Sequence, residues 1–175
     1  FALVERKNWN AIYIEGSKER YKDLLVTANK YKNITPINKF VEQKRNQENS
    51  LDNILSQTSL PEDYDLLSID IDSYDLAILN SYEGKPKIIV IEINSTLRPG
   101  ILQWHNGVKF IGNSFSSTLS VAKDKGYTLV CHTGNMIFVR NDLISKLNIT
   151  EEELQYPERL FFDKWIRKDS VLSRI

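Results

Sequence analysis

Residues 64–99, YDLLSIDIDSYDLAILNSYEGKPKIIVIEINSTLRP, decide the fold of this chain. The two apolar runs within this stretch, 66–71 and 87–93, have the length of strands and are rich in β-branched residues. A short helical segment separates them. Neither run alternates strictly with polar residues, which is typical of parallel strands that are buried on both faces. The stretch therefore predicts a strand, a helix and a second strand parallel to the first.

Polar side chains follow both predicted strands. Asp70 and Asp72 close the first run, and Glu92 and Asn94 close the second. Because the carboxyl ends of parallel strands meet at the same edge of a sheet, we expect these four side chains to gather there. In open α/β sheets this edge holds the ligand. The stretch therefore also predicts the position of a functional site.

The composition fits one domain with a substantial core. The chain has 175 residues, 41% of them hydrophobic, and its 23 Lys and Arg balance its 23 Asp and Glu. No net charge therefore favours nucleic acid or an anionic membrane as a partner. No apolar run approaches the roughly 20 residues that span a bilayer. The single cysteine, Cys131, cannot form an internal disulfide, so we expect a reducing, cytoplasmic location.

Strands and helices alternate along the rest of the chain. Period and capping signals predict a strand at 11–14, a helix from Ser17 to Tyr31, a strand at 34–41, and helices at 51–57 and 114–125. Pro36 indicates that the strand at 34–41 lies at an edge. Residues 127–132 and 136–140 flank Thr-Gly-Asn, which predicts an antiparallel hairpin.

Two further segments carry predictions of their own. Residues 95–113 contain Pro99 and three glycines, and we interpret this long irregular segment as a lid over the site. Residues 146–175 are predicted to form a helical extension that begins with a Thr150–Glu153 capping box. Its apolar residues would dock on the sheet or on a partner, such as a second copy of the chain; they are Leu160, Phe161, Trp165 and Ile166.

These elements predict an α/β sandwich with a mostly parallel sheet that ends in an antiparallel hairpin strand. Four stretches stand out in order along the chain: WNAIYIEG at 9–16, DLLSIDIDSYDLAIL at 65–79, KIIVIEIN at 87–94 and GYTLVCHTGNMIFVRNDL at 126–143. With these stretches and this ending, the chain resembles the FkbM-type family of S-adenosylmethionine-dependent methyltransferases, which belong to class I.

The resemblance implies a Rossmann-like methyltransferase domain over residues 1–145 that uses S-adenosylmethionine to methylate a hydroxyl of a sugar, a glycan or a small metabolite. Glu15 would accept hydrogen bonds from the two ribose hydroxyls of the donor, and Gly16 would let the backbone approach it. Phe40 and Val41 fall where the adenine of the donor rests in the family, although core positions would explain them equally well. Asp70 would also contact the donor.

Three roles compete for the carboxylates after the first strand. Asp72 could be the general base that takes the proton from the acceptor hydroxyl. Together with Asp70, Glu92 and Asn94 it could hold a hard cation, Mg²⁺ or Ca²⁺, since these ions prefer oxygen ligands. The structural alternative is that Asp72 or Ser73 caps the helix at 74–82, with Asp75 in its first turn.

The two histidines receive different interpretations. His105 lies in the predicted lid and is a second candidate for the general base, because its ordinary pKa is near 6.5. It could equally be an exposed loop residue. His132 lies on a closing strand, and we expect it to be structural.

One feature of the family is absent from these 175 residues. The glycine-rich loop and the strand before it would lie between the strand that ends at Glu15 and the strand that ends at Asp70. Without them, two buried strands would keep unpaired backbone groups, at a cost of about 1 to 3 kcal/mol for each unsatisfied group. We therefore expect the sequence to be a fragment that lacks an N-terminal piece. The alternative function is a non-catalytic Rossmann-like interaction module.

Overall fold

The computed structural model describes residues 1–165, and these residues divide into two compact units. The first unit comprises Phe1–Leu60, and the second begins at Pro61. The elements of the first unit are α1 (Ala2–Lys7), β1 (Ala11–Glu15), α2 (Lys18–Lys30), β2 (Ile34–Asn38) and α3 (Leu51–Ser56).

In the first unit, β1 and β2 form a parallel two-stranded sheet in which Glu15 lies opposite Asn38. The predicted helix is confirmed as α2, and the Ser17 hydroxyl accepts a hydrogen bond from the Arg20 amide at 3.4 Å. The predicted strand at 34–41 ends earlier, at Asn38. There the Asn38 side chain donates to the Glu15 carbonyl at 2.7 Å, so a side chain satisfies the last carbonyl of β1.

The second unit contains a four-stranded sheet in the order β3-β4-β6-β5. Strands β3 and β4 are parallel, whereas β6 lies antiparallel to both of its neighbours. The elements are β3 (Leu66–Ile69), α4 (Asp75–Ser81), β4 (Ile88–Glu92), α5 (Phe115–Asp124), β5 (Tyr127–His132), β6 (Asn135–Arg140) and α6 (Glu151–Gln155), with short 3₁₀ turns at Asn141–Lys146, Pro157–Leu160 and Asp163–Trp165.

The α/β class and the terminal hairpin are confirmed, but the sheet of the second unit is mixed rather than mostly parallel. The reason is that β6 inserts between β4 and β5, so two of the three pairings in this sheet are antiparallel. This architecture is compatible with a Rossmann-like fold.

The core of the second unit lies on the face of the sheet against which α4 and α5 pack. Buried side chains come from both helices and all four strands; the fully buried ones include Leu76, Leu79, Ile89, Ile91, Phe115, Met136 and Phe138. On the opposite face, Val90 is half-buried and Ser68 is exposed. The apolar runs of β3 and β4 are thus fully buried on one face, not on both as expected.

The segment after β6 packs on the sheet through residues that the structure describes. Thr150 and Glu153 form the capping box of α6, and this helix and the following turn pack against β5. The Phe161 ring stacks on His132 with 5.0 Å between ring centroids. Ile166, the last residue of the predicted apolar face, lies outside the described residues. Among residues 1–165, no helix combines the length and the hydropathy needed to cross a membrane.

Candidate acidic cleft

Three carboxylates meet at the carboxyl ends of β3 and β4. The parallel register pairs Ile69 with Ile91, so the next residues, Asp70 and Glu92, also lie side by side. The carboxylate oxygens of Asp70, Asp72 and Glu92 approach to within 4.8 Å of one another. The gathering of acidic side chains that the sequence predicts at this edge is therefore confirmed for these three residues.

The buried carboxylate of Asp75, which the sequence placed only in the first turn of the helix, also shapes the turn after β3. Asp75 is 2% exposed, and its two oxygens accept hydrogen bonds from the amides of Ile71 at 2.9 Å and Ser73 at 3.0 Å. Between these residues Asp72 adopts a left-handed backbone conformation, with φ of 62°. Asp75 therefore fixes the turn that presents Asp72 to the cleft.

The capping role considered for Asp72 and Ser73 is wrong. Helix α4 begins at Asp75, its N-cap is Tyr74, and no side chain makes a cap hydrogen bond there. The expectation that Asp75 lies in the first turn is confirmed. The side chain of Asp72 instead contributes to the acidic cluster.

The electrostatics of the cluster favour a proton on Glu92. Burial and the neighbouring carboxylates of Asp70, Asp75 and Asp72 raise the pKa of Glu92 to about 7. Burial also raises the pKa of Asp75, although its two amide donors oppose that effect. Like charges at this spacing disfavour full ionisation, so the cluster either keeps a proton near neutral pH or binds a cation in its place.

The cluster opens into a cleft of about 540 Å³. Asp72, Asp75 and Glu92 line it on one side, and most of the other lining side chains are uncharged polar groups: Asn94, Ser95, Thr96, Asn113, Thr133 and Asn135. Hydroxyl and amide groups of this kind form hydrogen bonds with polyhydroxylated molecules. The cleft is therefore suited to a polar ligand.

Asn94 anchors the segment that was predicted to be a lid. Its backbone amide donates to the Asn113 carbonyl at 2.8 Å, and its side-chain amide donates to the Ile111 carbonyl at 3.0 Å. Its side-chain oxygen accepts hydrogen bonds from the amide and the hydroxyl of Thr96. Asn94 thus lines the cleft, but its oxygen already has donors, and a metal-ligand role stays a prediction.

His105 lies within the same segment and holds it together. Its Nδ1 atom accepts a hydrogen bond from the Gly112 amide at 3.1 Å, and its own amide donates to Asn113 Oδ1 at 3.0 Å. Its ring packs edge-on against Tyr74, with 4.6 Å between centroids. His105 is not among the residues that line the cleft. A role as general base stays a prediction that these contacts do not support.

A buried pair on the other wall of the cleft was not predicted. The Ser95 hydroxyl donates to the Gly134 carbonyl at 2.7 Å and accepts from Nε2 of His132 at 3.0 Å. The Phe162 amide donates to His132 Nδ1 at 2.8 Å, so the neutral imidazole carries its proton on Nε2. Burial lowers the pKa of His132 in agreement with this. His132 is structural, as expected, and through Ser95 it positions the hairpin turn beside the cleft.

Three of the residues predicted to contact the methyl donor lie together in the first unit. Glu15 ends β1, and its Oε1 atom accepts a hydrogen bond from the Ser17 amide at 2.7 Å. A Cβ atom at Gly16 would lie 2.8 Å from the Phe40 ring, so a side chain at this position would displace that ring. The Phe40 side chain is 77% exposed, which excludes the core role for it, while Val41 is half-buried.

Comparisons with known proteins identify no family for this chain. No protein-family model matches it, and no curated protein matches its sequence. The candidate function therefore depends on the fold and on the chemistry of the two groups of residues described above.

Proposed function

We propose that the chain acts as an S-adenosylmethionine-dependent methyltransferase that methylates a hydroxyl of a sugar, a glycan or a small metabolite. The observation that carries this proposal is the strand order β3-β4-β6-β5, in which an antiparallel last strand inserts beside a parallel pair. A sheet with this ending resembles that of class I methyltransferases. The acidic cluster at the carboxyl ends of β3 and β4 lies at the edge where open α/β sheets bind their ligands.

In this proposal Glu15, Gly16 and Phe40 contribute to donor binding. S-adenosylmethionine supplies an electrophilic methyl group on a sulfonium. Glu15 accepts hydrogen bonds from the ribose hydroxyls, and the absence of a side chain at Gly16 allows Phe40 to pack over that backbone. The exposed Phe40 ring offers a face on which a purine can stack.

The second unit binds the acceptor in the acidic cleft. The acceptor oxygen forms a bond to the methyl carbon as the carbon–sulfur bond breaks, and the hydroxyl proton passes to a carboxylate. Asp72 and Glu92 both line the cleft, and a pKa of about 7 gives Glu92 comparable access to its acid and base forms near neutral pH. Placement of the reacting groups supplies the remaining rate acceleration.

A divalent cation fits the donor set of the cluster. Asp70, Asp72 and Glu92 offer only carboxylate oxygens, the ligand type that Mg²⁺ and Ca²⁺ prefer. When bound, such an ion would polarise the acceptor hydroxyl and help it to lose its proton. Within the described residues no histidine or cysteine joins the cluster, so the set does not suit softer metals.

The test is methyl transfer by the full-length protein from S-adenosylmethionine labelled in its methyl group. Purified protein is incubated with fractionated sugars, glycans and metabolites, and the label in each fraction is counted. We expect label in at least one hydroxyl-bearing fraction. Removing the base by Asp72→Asn or Glu92→Gln should lower the rate by about 100-fold or more. Asp124→Asn, on the exposed side of α5, is the matched control and should leave the rate unchanged.

Failure to label any fraction, with the donor bound normally, would contradict catalysis of this kind. Failure to bind the donor at all would favour the non-catalytic interaction module instead. Retention of the full rate in both variants would place the base elsewhere, and His105→Gln would then be the next variant to measure.

A further inference from the structure

One side chain connects residues 157–162, which we call the docked segment, to the wall of the acidic cleft. His132 is 4% exposed, and both of its ring nitrogens form hydrogen bonds. Nδ1 accepts from the Phe162 amide at 2.8 Å, and Nε2 donates to the Ser95 hydroxyl at 3.0 Å. Ser95 in turn donates to the Gly134 carbonyl at 2.7 Å, and both residues line the cleft. The docked segment and the cleft wall therefore share a single imidazole.

The two hydrogen bonds of His132 require a neutral ring. A neutral imidazole has one nitrogen that donates and one that accepts, whereas the protonated ring carries a proton on both. After protonation, the N–H group at Nδ1 would point at the N–H group of Phe162, so two donors would face each other where one hydrogen bond now lies. The bond to Ser95 does not have this conflict, because Nε2 donates in both forms. Protonation therefore acts first on the docked segment.

Uncharged side chains surround the ring. It stacks on Phe161 with 5.0 Å between ring centroids and lies edge-on to Phe115 at 5.5 Å. Across the hairpin it is paired with Met136, which is fully buried. Neither these three side chains nor Ser95 carries a charge that could hold a proton on the ring. Burial is accordingly the cause of the lowered pKa of His132.

The charged groups on the elements packed against β5 lie in solvent and have other partners. In the docked segment Glu158 and Arg159 are exposed, and Arg159 forms an ion pair with Glu152 of α6. Glu153 closes the capping box of α6. Within the described part of the chain, none of these groups hydrogen bonds to His132. The remaining charged side chains of α5, α6 and the turn after β6 are also exposed; they include Lys123, Asp124, Asp142, Lys146 and Glu151.

We propose that His132 is a pH-sensitive switch whose protonation releases the docked segment from the sheet and loosens the cleft wall at Ser95 and Gly134. The docked state holds a neutral, buried ring, whereas the ring of the released state lies in water with an ordinary pKa of about 6.5. The released state therefore binds more protons, so acid favours release and docking is fully stable above this pH. Release removes the acceptor partner that orients His132, and Ser95 then loses its fixed donor. The inference is independent of the proposed enzymatic function.

The test is amide hydrogen exchange in the full-length protein at about pH 7.5 and about pH 5, corrected for the intrinsic exchange rate at each pH. We expect the protection of the Phe162 amide to fall by up to about 30-fold at the lower pH, because release is coupled to the uptake of one proton. The amides of β4 report unfolding of the whole unit and should lose less protection. Glu92 does not mimic this result, since its raised pKa stabilises the fold as the pH falls.

His132→Gln separates the charge from the hydrogen bonds. Its side-chain oxygen is an acceptor for the Phe162 amide and its side-chain amide is a donor for Ser95, but the side chain does not titrate. The protection of the docked segment should therefore be the same at both pH values in this variant. The matched control is His105→Gln, which removes the only other histidine of the chain and should keep the pH dependence.

Circular dichroism melts establish that each variant is folded. If His132→Gln does not fold, His105→Gln still decides, since it leaves His132 as the single histidine. Equal protection of the Phe162 amide at both pH values in the parent protein would overturn the proposal. So would a pH dependence that persists in a folded His132→Gln variant or disappears in His105→Gln, because the titrating group would then lie elsewhere.

Discussion

At the scale of single residues, the distinctive feature of the second unit is a set of carboxylates whose environments differ. Asp75 is buried, and two backbone amides hold it in place. Glu92 shares a small volume with Asp70 and Asp72 and has its pKa raised to about 7. Asp75 shapes the turn, whereas Glu92, Asp70 and Asp72 form a cluster in which a proton on Glu92 is favoured. The spacing of the acids in the sequence predicted the cluster of Asp70, Asp72 and Glu92. It could not reveal the burial of Asp75, because no local sequence pattern reports that an acid is buried.

Glu92 gives the stability of the second unit a specific pH dependence. Its pKa is about 7 in the folded chain against an ordinary 4.5, so between these values the folded state binds more protons than the unfolded state. The contribution of Glu92 to the free energy of unfolding is therefore full below this window and is lost as the pH rises through it. Glu92→Gln should flatten this part of the pH profile, measured by urea unfolding.

The control for that measurement is Glu62→Gln, an exposed carboxyl of the same unit, which should leave the profile unchanged. A Glu92→Gln profile that parallels the parent would mean that the shifted proton does not belong to Glu92. Above the window, at about pH 8, the same variant should be more stable than the parent, since it removes the repulsion among the carboxylates.

Asp75 should matter for stability more than the acids around it. Asp75→Ala leaves the amides of Ile71 and Ser73 without their acceptor, and we expect the free energy of unfolding to fall by about 2 kcal/mol or more. Asp124→Ala removes an exposed acid and should change it by less than about 0.5 kcal/mol. Chemical denaturation measures both values, and equal losses would contradict the role assigned to Asp75.

At the scale of elements, the lid segment is the part of the fold that sequence predicted least well. Its irregularity and its glycines indicated a long loop. They did not reveal that Asn94, His105 and Asn106 would replace regular secondary structure with side-chain hydrogen bonds. Such contacts depend on residues far apart along the loop. The helices and the hairpin, in contrast, carried local signals, such as the Ser17 and Ser114 caps and the left-handed Gly126.

Two glycines of the lid segment provide a matched pair for testing how it is held. Both have positive φ, but a Cβ atom at Gly112 would lie 3.0 Å from Asn94 Cβ, whereas one at Gly100 would meet nothing within 4 Å. Gly100→Ala should cost only the backbone strain, about 1 kcal/mol. Gly112→Ala should cost about 1 kcal/mol more and disturb the Asn94 contacts. Urea unfolding measures the loss in free energy of unfolding for both variants. Equal losses would contradict a close contact between Gly112 and Asn94.

At the scale of the whole molecule, sequence patterns predicted the α/β class, the order of nearly all elements and the place of the acidic cluster. They also predicted the antiparallel hairpin strand, but not that two of the three pairings in the second sheet would be antiparallel. The position of β6 beside β4 makes the second sheet mixed, and no local pattern reports a strand's neighbours.

The absence of any matching family model leaves the methyltransferase proposal dependent on strand order and site chemistry. Donor binding can be measured without knowing the acceptor, so it separates the proposed function from the interaction module. Glu15→Gln keeps an oxygen for the Ser17 amide but weakens the acceptor for the ribose hydroxyls. Glu19→Gln alters an exposed acid of α2 and serves as its control.

The most direct measurement is calorimetric titration of the full-length protein with S-adenosylhomocysteine, the demethylated product of the donor. We expect binding of one molecule per chain with a dissociation constant in the micromolar range. We also expect binding weaker by about tenfold in Glu15→Gln and unchanged binding in Glu19→Gln. No measurable binding, or binding unaffected by the change at Glu15, would contradict the proposal.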